Sequence, residues 1–184
     1  MVFILHQNTS RKSSRYSIRK FYAYRKYEIF NEEGETIVSA NSLWFLIDSE
    51  KRRPCKINEH ISKQFGLGPE DNGQLEFKKL IEPEEISMEK EFSVRYADID
   101  TNKHVNNVKY ISWSLEAIPD EILENCTLRE LKVNYEKETA YGEDVRVRSE
   151  VKEEETQYII RSIVVNSSEE KLTLLHTVWD KEAK

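Results

Sequence analysis

Asp98-Ile99-Asp100-Thr101-Asn102-Lys103-His104-Val105-Asn106-Asn107-Val108-Lys109-Tyr110 sets two carboxylates, a side-chain amide, an imidazole and an Asn-Asn pair directly before an apolar helical pattern. Asn106 or Asn107 can cap a helix, since an Asn side chain accepts one of the N–H groups that a first helical turn leaves unpaired. Val108, Ile111, Leu115 and Ile118 then follow at i, i+3, i+7 and i+10 until Pro119 interrupts the pattern. Ahead of the run, 90–96 alternates as a strand with Phe92, Val94 and Tyr96 on one face. Behind it come a second short helical piece at 120–126 and four strand candidates, 128–137, 144–151, 157–165 and 172–179, with Gly142 and Asn166-Ser167-Ser168 at turns. One strand, a helix and then an antiparallel meander is an α+β order.

Upstream, 16–30 is rich in Tyr, Phe, Ile and basic residues, Asn31-Glu32-Glu33-Gly34 supplies a turn, and 36–47 resumes the strand pattern, which predicts one long hairpin. Residues 48–54 break the pattern, and 55–67 can hold a short helix carrying Ile57, Ile61 and Phe65 at i, i+4 and i+8. Gly66 to Gly73 holds three of the five glycines and runs into an acidic, Pro-containing stretch that reads as a linker. An offset of 135 residues places Asn31 on Asn166, Ile29 on Val164, Phe30 on Val165, Ile37 on Leu172, Ser42 on Thr177, Leu43 on Val178 and Trp44 on Trp179. Apolar alternation can produce such a match between any two hairpins of similar length. Taken as a repeat, it predicts one complete unit preceded by the tail of another, with the leading strand, helix and next strand of the first copy lying upstream of residue 1. The expected organisation is therefore a partial first unit over 1–57, a linker over 58–87 and a complete unit over 88–184.

Composition narrows the class. With 38% hydrophobic and 34% charged residues, nine Tyr and seven Phe, the 184-residue chain suits a strand-rich globular protein better than a disordered one. Net charge is -6, yet positions 1–27 carry Arg11, Lys12, Arg15, Arg19, Lys20, Arg25 and Lys26 and no acid. Such a face can steer an acidic partner, or it can be a solvated strand edge that discourages sheet pairing. The basic segment lacks any nucleic-acid-binding motif. Cys55 and Cys126 show no CxxC spacing, so neither a disulfide framework nor a metal site is expected. The apolar run Val2 to Leu5 is too short for a membrane span or a signal-peptide core, and the expected location is cytoplasmic.

In an extended connector Asp100, Asn102 and His104, at i, i+2 and i+4, point to one side. The following helix N-terminus adds N–H groups and a partial positive charge. A carboxylate, an amide, an imidazole and an oxyanion site are what acyl transfer to water requires. The same letters also spell a polar turn before a helix cap, with His104 on the surface. A metal site from Asp98, Asp100 and His104 lacks a supporting His or Cys cluster, and no cofactor is expected.

The segment Tyr-Ala-Asp-Ile-Asp-Thr-Asn-Lys-His-Val-Asn-Asn-Val-Lys-Tyr-Ile-Ser-Trp-Ser-Leu-Glu-Ala-Ile-Pro, 96–119, resembles the signature of the fatty acyl-ACP thioesterases, a family of two tandem hotdog domains. Residues 131–144 resemble that family's second block, and 44–54 the end of its first hotdog. The resemblance implies a hotdog fold, an antiparallel sheet wrapped around a central helix, with one complete copy following the last hairpin of an incomplete one. It implies Asp100, Asn102, His104 and Glu138 as catalytic residues and a substrate and oxyanion region at Val105, Asn106 and Asn107. Asp98 is left as a structural turn acid. Plant members often carry a cysteine after the catalytic Glu; here that position is Thr139, which disfavours a Cys/His mechanism. The implied reaction is hydrolysis of the thioester joining a fatty acyl chain to the phosphopantetheine arm of acyl carrier protein. Arg15, Arg19, Lys20 and Arg25 are candidates for docking that acidic carrier. The alternatives are an acyl-CoA thioesterase or a non-catalytic acyl-binding hotdog. A hairpin with unpaired strand edges predicts reduced stability or self-association, a homodimer through the hotdog sheets being one form.

Overall fold

A computed structural model of the chain describes residues 10–48, 50, 51 and 53–182, and only the backbone of residues 11 and 13–16. The run Val2 to Leu5 lies outside the described residues. The chain divides into two compact units, Met1–Phe77 and Lys78–Lys184, so that the boundary falls inside the stretch 58–87 expected as a linker.

The first unit holds an antiparallel sheet of β1 (Ser10–Arg19), β2 (Tyr22–Phe30) and β3 (Thr36–Phe45), in that order. The single long hairpin expected here is two hairpins. The chain reverses at Lys20, which takes a positive φ of 54, a conformation that Gly or Asn usually marks and that a lysine here leaves unmarked. A two-stranded piece follows, β4 (Ile47–Asp48) with β5 (Arg53–Pro54). Helix α1 (Glu59–Gln64) begins where the Asn58 side chain accepts the Ile61 N–H at 2.9 Å. The helix is shorter than the 55–67 window: Ile57 precedes it, with its N–H bonded to Lys20 O at 2.7 Å, and Phe65 ends it. The Gly-rich stretch is not a free tether. Ile18 N–H donates to Asp71 O at 3.2 Å, the buried Ser17 hydroxyl bonds Gly73 O, and Phe77 stacks on Tyr24.

In the second unit, β6 (Met88–Ser93) is followed by a 3₁₀ turn (Tyr96–Asp98), α2 (Asn107–Glu116), α3 (Asp120–Asn125), β7 (Cys126–Tyr135), β8 (Asp144–Glu153), β9 (Gln157–Asn166) and β10 (Lys171–Lys181). The antiparallel sheet runs β6-β8-β9-β10-β7, with α2 against β8, β9 and β10. Tyr110, Trp113 and Ala117 press onto Val145, Val147, Val164, Leu172 and Leu175. Ile118 and Ile122 close over Ile160 and Trp179. Each fully buried Val or Leu contributes roughly 1.5–3 kcal/mol, so this helix–sheet contact is the main stabilising element. Residues 162–165 of β9 are buried without alternation because Leu80 packs on Ile163, Val165 and Leu174 from the other face. This is the α+β hotdog arrangement, a sheet around a central helix. Among the described residues no helix is long and apolar enough to cross a membrane.

The 135-residue offset recurs in hydrogen bonds. Asn31 and Asn166 each accept a side-chain bond from the N–H four residues on, Glu35 at 2.7 Å and Glu170 at 2.9 Å. Each also donates its backbone N–H to that same Glu carbonyl and its amide to that Glu carboxylate. Gly34 (φ 81) and Glu169 (φ 61) share the left-handed position. Trp44 donates to Ser42 Oγ at 2.7 Å as Trp179 donates to Thr177 Oγ1 at 2.9 Å. Only the surroundings differ: Trp179 is 6% exposed and Trp44 is 52% exposed.

Because Asn166 Oδ1 holds the N–H groups of both Ser168 and Glu170, Asn166→Ala is expected to lower stability by about 1–2 kcal/mol. Urea unfolding measures this, and a change within a few tenths would show that the turn is set by backbone alone.

Candidate active site

The site is assembled around the entry to α2. Asp98, 0% exposed, ends the 3₁₀ turn. Its carboxylate accepts Arg95 N–H at 2.9 Å, Arg95 Nε at 3.2 Å and Nη2 at 3.1 Å, and pairs with Lys109 Nζ at 3.0 Å. Its carbonyl accepts the Asn106 N–H at 2.8 Å. Burial alone would raise this carboxyl, but the Arg95 and Lys109 bonds outweigh it and hold it at about 2. Asn106 caps α2, its side chain accepting the Val108 N–H at 3.0 Å.

Between Asp98 and Asn106 the chain folds back on itself. Ile99 and Val105 form an antiparallel bridge, Asp100 N–H donates to His104 O at 2.8 Å, and Lys103 takes a φ of 65. The extended connector expected for Asp100, Asn102 and His104 is therefore corrected to a tight reversal. The Asp100 side chain builds that reversal by accepting Asn102 N–H at 2.7 Å and His104 N–H at 3.4 Å, a bond pattern available to Asp in a turn and absent in a strand. Asp100 and His104 stand opposite each other at its base, while Asn102 is exposed at its tip.

Glu138 arrives from another element. Strand β7 ends at Tyr135, two residues before the expected 137, and Glu136 and Lys137 then donate to Leu172 O at 2.8 and 3.2 Å. Glu138 thus lies in a loop, and its Oε2 meets His104 Nδ1 at 3.1 Å. Neither partner is sequestered, at 37% and 55% side-chain exposure. The neighbouring Thr139 is buried; its carbonyl accepts Val105 N–H at 3.0 Å, its N–H donates to the Tyr110 hydroxyl at 3.1 Å, and its Oγ1 bonds Glu143 at 2.6 Å. Tyr110 and the Thr139 backbone carry no sequence signal of this role beyond their nearness to the motif. Within the proposed oxyanion trio, Val105 and Asn106 N–H groups are engaged by Thr139 O and Asp98 O, which leaves the Asn107 N–H. The exposed rings of Tyr96 and Tyr141 meet edge to face 6.1 Å apart. Among the described residues no group of three or more His, Cys, Asp or Glu is placed to hold a metal.

The basic candidates lie in the first unit. Arg15 and Arg25 are directly opposed in the β1–β2 register, the Arg15 side chain being outside the described residues. Arg19 donates to Gln74 at 2.5 Å and Lys20 occupies the exposed reversal.

Residues 81–181, more than half of the chain, match the acyl-ACP thioesterase C-terminal domain. The chain belongs to the acyl-ACP thioesterase family. Residues 10–65 match the acyl-ACP thioesterase N-terminal domain. Among relatives, the chain is 37% identical over 111 residues to a chloroplastic palmitoyl-acyl carrier protein thioesterase of Cuphea hookeriana, an alignment covering 57% of this chain and 27% of that protein. It is 33% identical over 116 residues to the oleoyl-acyl carrier protein thioesterase 2 of Arabidopsis thaliana, covering 57% and 31%. The chain spans about a quarter to a third of the length of these relatives. In fold it matches the 12:0-ACP thioesterase of Umbellularia californica with a TM-score of 0.79 and 19% identity, over 95% of this chain and 66% of that one.

The depressed Asp98 carboxyl sets a pH dependence for the stability of this chain. Against an unfolded value near 3.9, the native value of about 2 contributes on the order of 2 kcal/mol, present above about pH 4 and lost as pH falls towards about 2. Asp98→Asn is expected to remove about that much at neutral pH and to flatten the acid limb of the stability profile; an unchanged limb would place the acid sensitivity elsewhere.

Proposed function

We propose that this chain hydrolyses the thioester of a fatty acyl chain carried on acyl carrier protein, releasing the free acid and the carrier thiol. The observation that carries the reading is the 3.1 Å contact of His104 Nδ1 with Glu138 Oε2 beside the Asp100 turn. The Glu138 carboxylate accepts the Nδ1–H and so fixes the tautomer in which Nε2 bears the lone pair. His104 Nε2 takes a proton from water, whose oxygen attacks the thioester carbonyl. The resulting oxyanion is met by the Asn107 N–H at the N-terminus of α2, while the role of Asn102, exposed at the tip of the reversal, rests on the family resemblance alone. Collapse breaks the C–S bond, and His104 returns the proton to the departing thiolate. Asp100 braces the loop through Oδ1 and offers its second oxygen to the attacking water.

The carrier-protein assignment draws on the names of the relatives and on the basic run over positions 1–27, which carries seven Lys and Arg and no acid. The reducing, cytoplasmic location is proposed on the free thiols Cys55 and Cys126, and self-association on the open edges of β6 and β7.

Asp100→Asn keeps an amide oxygen able to accept both loop N–H groups, so melting should stay within a few degrees while kcat falls by ~100-fold or more. Unchanged turnover would reduce Asp100 to a loop brace. Acyl-ACP hydrolysis should weaken markedly between low and physiological salt while acyl-CoA hydrolysis does not, because only docking of a charged protein is steered over long range. Equal rates and equal salt response would remove the carrier-protein claim.

A further inference from the structure

Glu138 has no regular secondary structure to hold it, yet it meets His104 at hydrogen-bonding distance. The next residue is anchored on both sides of its backbone. The Thr139 carbonyl accepts from the N–H of Val105, the residue adjoining His104, and the Thr139 N–H donates to the hydroxyl of Tyr110, one turn into α2. Both backbone groups of Thr139 are therefore gripped by the segment that carries His104. Tyr110 cannot swing away: it is 1% exposed, with Trp113 and Tyr135 rings edge-on to it at 5.6 and 6.1 Å. A backbone N–H buried at this point needs an acceptor, and no main-chain carbonyl reaches it, since that of Leu172 serves Glu136 and Lys137.

We propose that Tyr110 is a positioning residue for the hydrolysis, acting through the Thr139 backbone to keep the Glu138 carboxylate in register with His104 Nδ1. The hydroxyl touches neither substrate nor reacting atoms. Burial, opposed by the Thr139 bond and reinforced by the negative charges of Glu138 and Glu143, pushes its pKa up to about 12, so it remains a neutral acceptor throughout the working range. The inference rests on the hydrolase reading for its kinetic consequence and on geometry alone for its structural one, so the two can fail separately.

The test compares Tyr110→Phe with wild type and with Ser162→Ala, which removes a buried hydroxyl bonded to Ser149 and remote in sequence from the motif. Three quantities are read: kcat and KM on acyl-ACP, the protonation pattern of the His104 ring nitrogens by NMR, and exchange of the Thr139 amide in wild type. The expected result is a kcat lower by ~10-fold with KM within about twofold for Tyr110→Phe. It includes a mixed His104 tautomer in that variant, neither change in Ser162→Ala, and a Thr139 amide protected like those of β9. A His104 signature in Tyr110→Phe identical to wild type would overturn the proposal. Should Tyr110→Phe not fold, a Thr139 amide that exchanges as fast as an open loop would overturn it in the native chain, and a protected one would support it. If wild type shows no hydrolysis, the hydrolase reading fails while the NMR and exchange results still decide the role of Tyr110.

Discussion

A carboxylate without access to water joins the parts of the second unit that matter for chemistry. Asp98 receives Arg95 from its own turn and Lys109 from α2, and its carbonyl takes the Asn106 N–H. Burying that charge unpaired would be prohibitive, and with one partner removed the loss would run to several kcal/mol. The 3₁₀ turn, the folded-back loop and the start of α2 must therefore adopt one mutual arrangement, since only that arrangement satisfies the acid. The exposed Arg95 and half-covered Lys109 keep the desolvation penalty mostly on one partner.

Everything at the site inherits this constraint. With the loop ends held together by the Ile99–Val105 bridge, the Asp100 side chain can close the turn and place His104 beside it. Val105 and Tyr110, fixed on the helical side, then hold Thr139 and with it Glu138. The groups proposed as catalytic remain on the surface, while Val105, Tyr110 and Thr139, which hold them, are buried. Fixed surface chemistry on a buried frame is how a short loop can be as well placed as a strand.

Reading the sequence reached far into this unit and less far into the first. Helix α2 and the β8–β10 meander were legible because their apolar periods are long and uninterrupted, and Asn106 caps where an Asn should. Asn31 and Asn166 repeat the same turn to the level of individual hydrogen bonds, which explains why the 135-residue offset was visible at all. The reversal at Lys20 was hidden, since a lysine at positive φ leaves no mark in the sequence. Asp100-Thr101-Asn102 was ambiguous for a physical reason: Asp and Asn serve a turn and a catalytic array equally well, and here the turn exists and still delivers His104 to Glu138. That pairing depends on a tertiary bond between Tyr110 and a backbone N–H, which no local pattern encodes.

The proposed hydrolysis depends on Glu138 holding His104 in its working tautomer. Measuring acyl-ACP hydrolysis by Glu138→Leu at neutral pH tests it most directly, since Leu is of similar size and can accept nothing from Nδ1. The expected result is a kcat lower by ~100-fold or more with KM within about twofold and an unchanged melting temperature. Turnover equal to wild type would contradict the claim that this carboxylate holds His104 ready for the reaction.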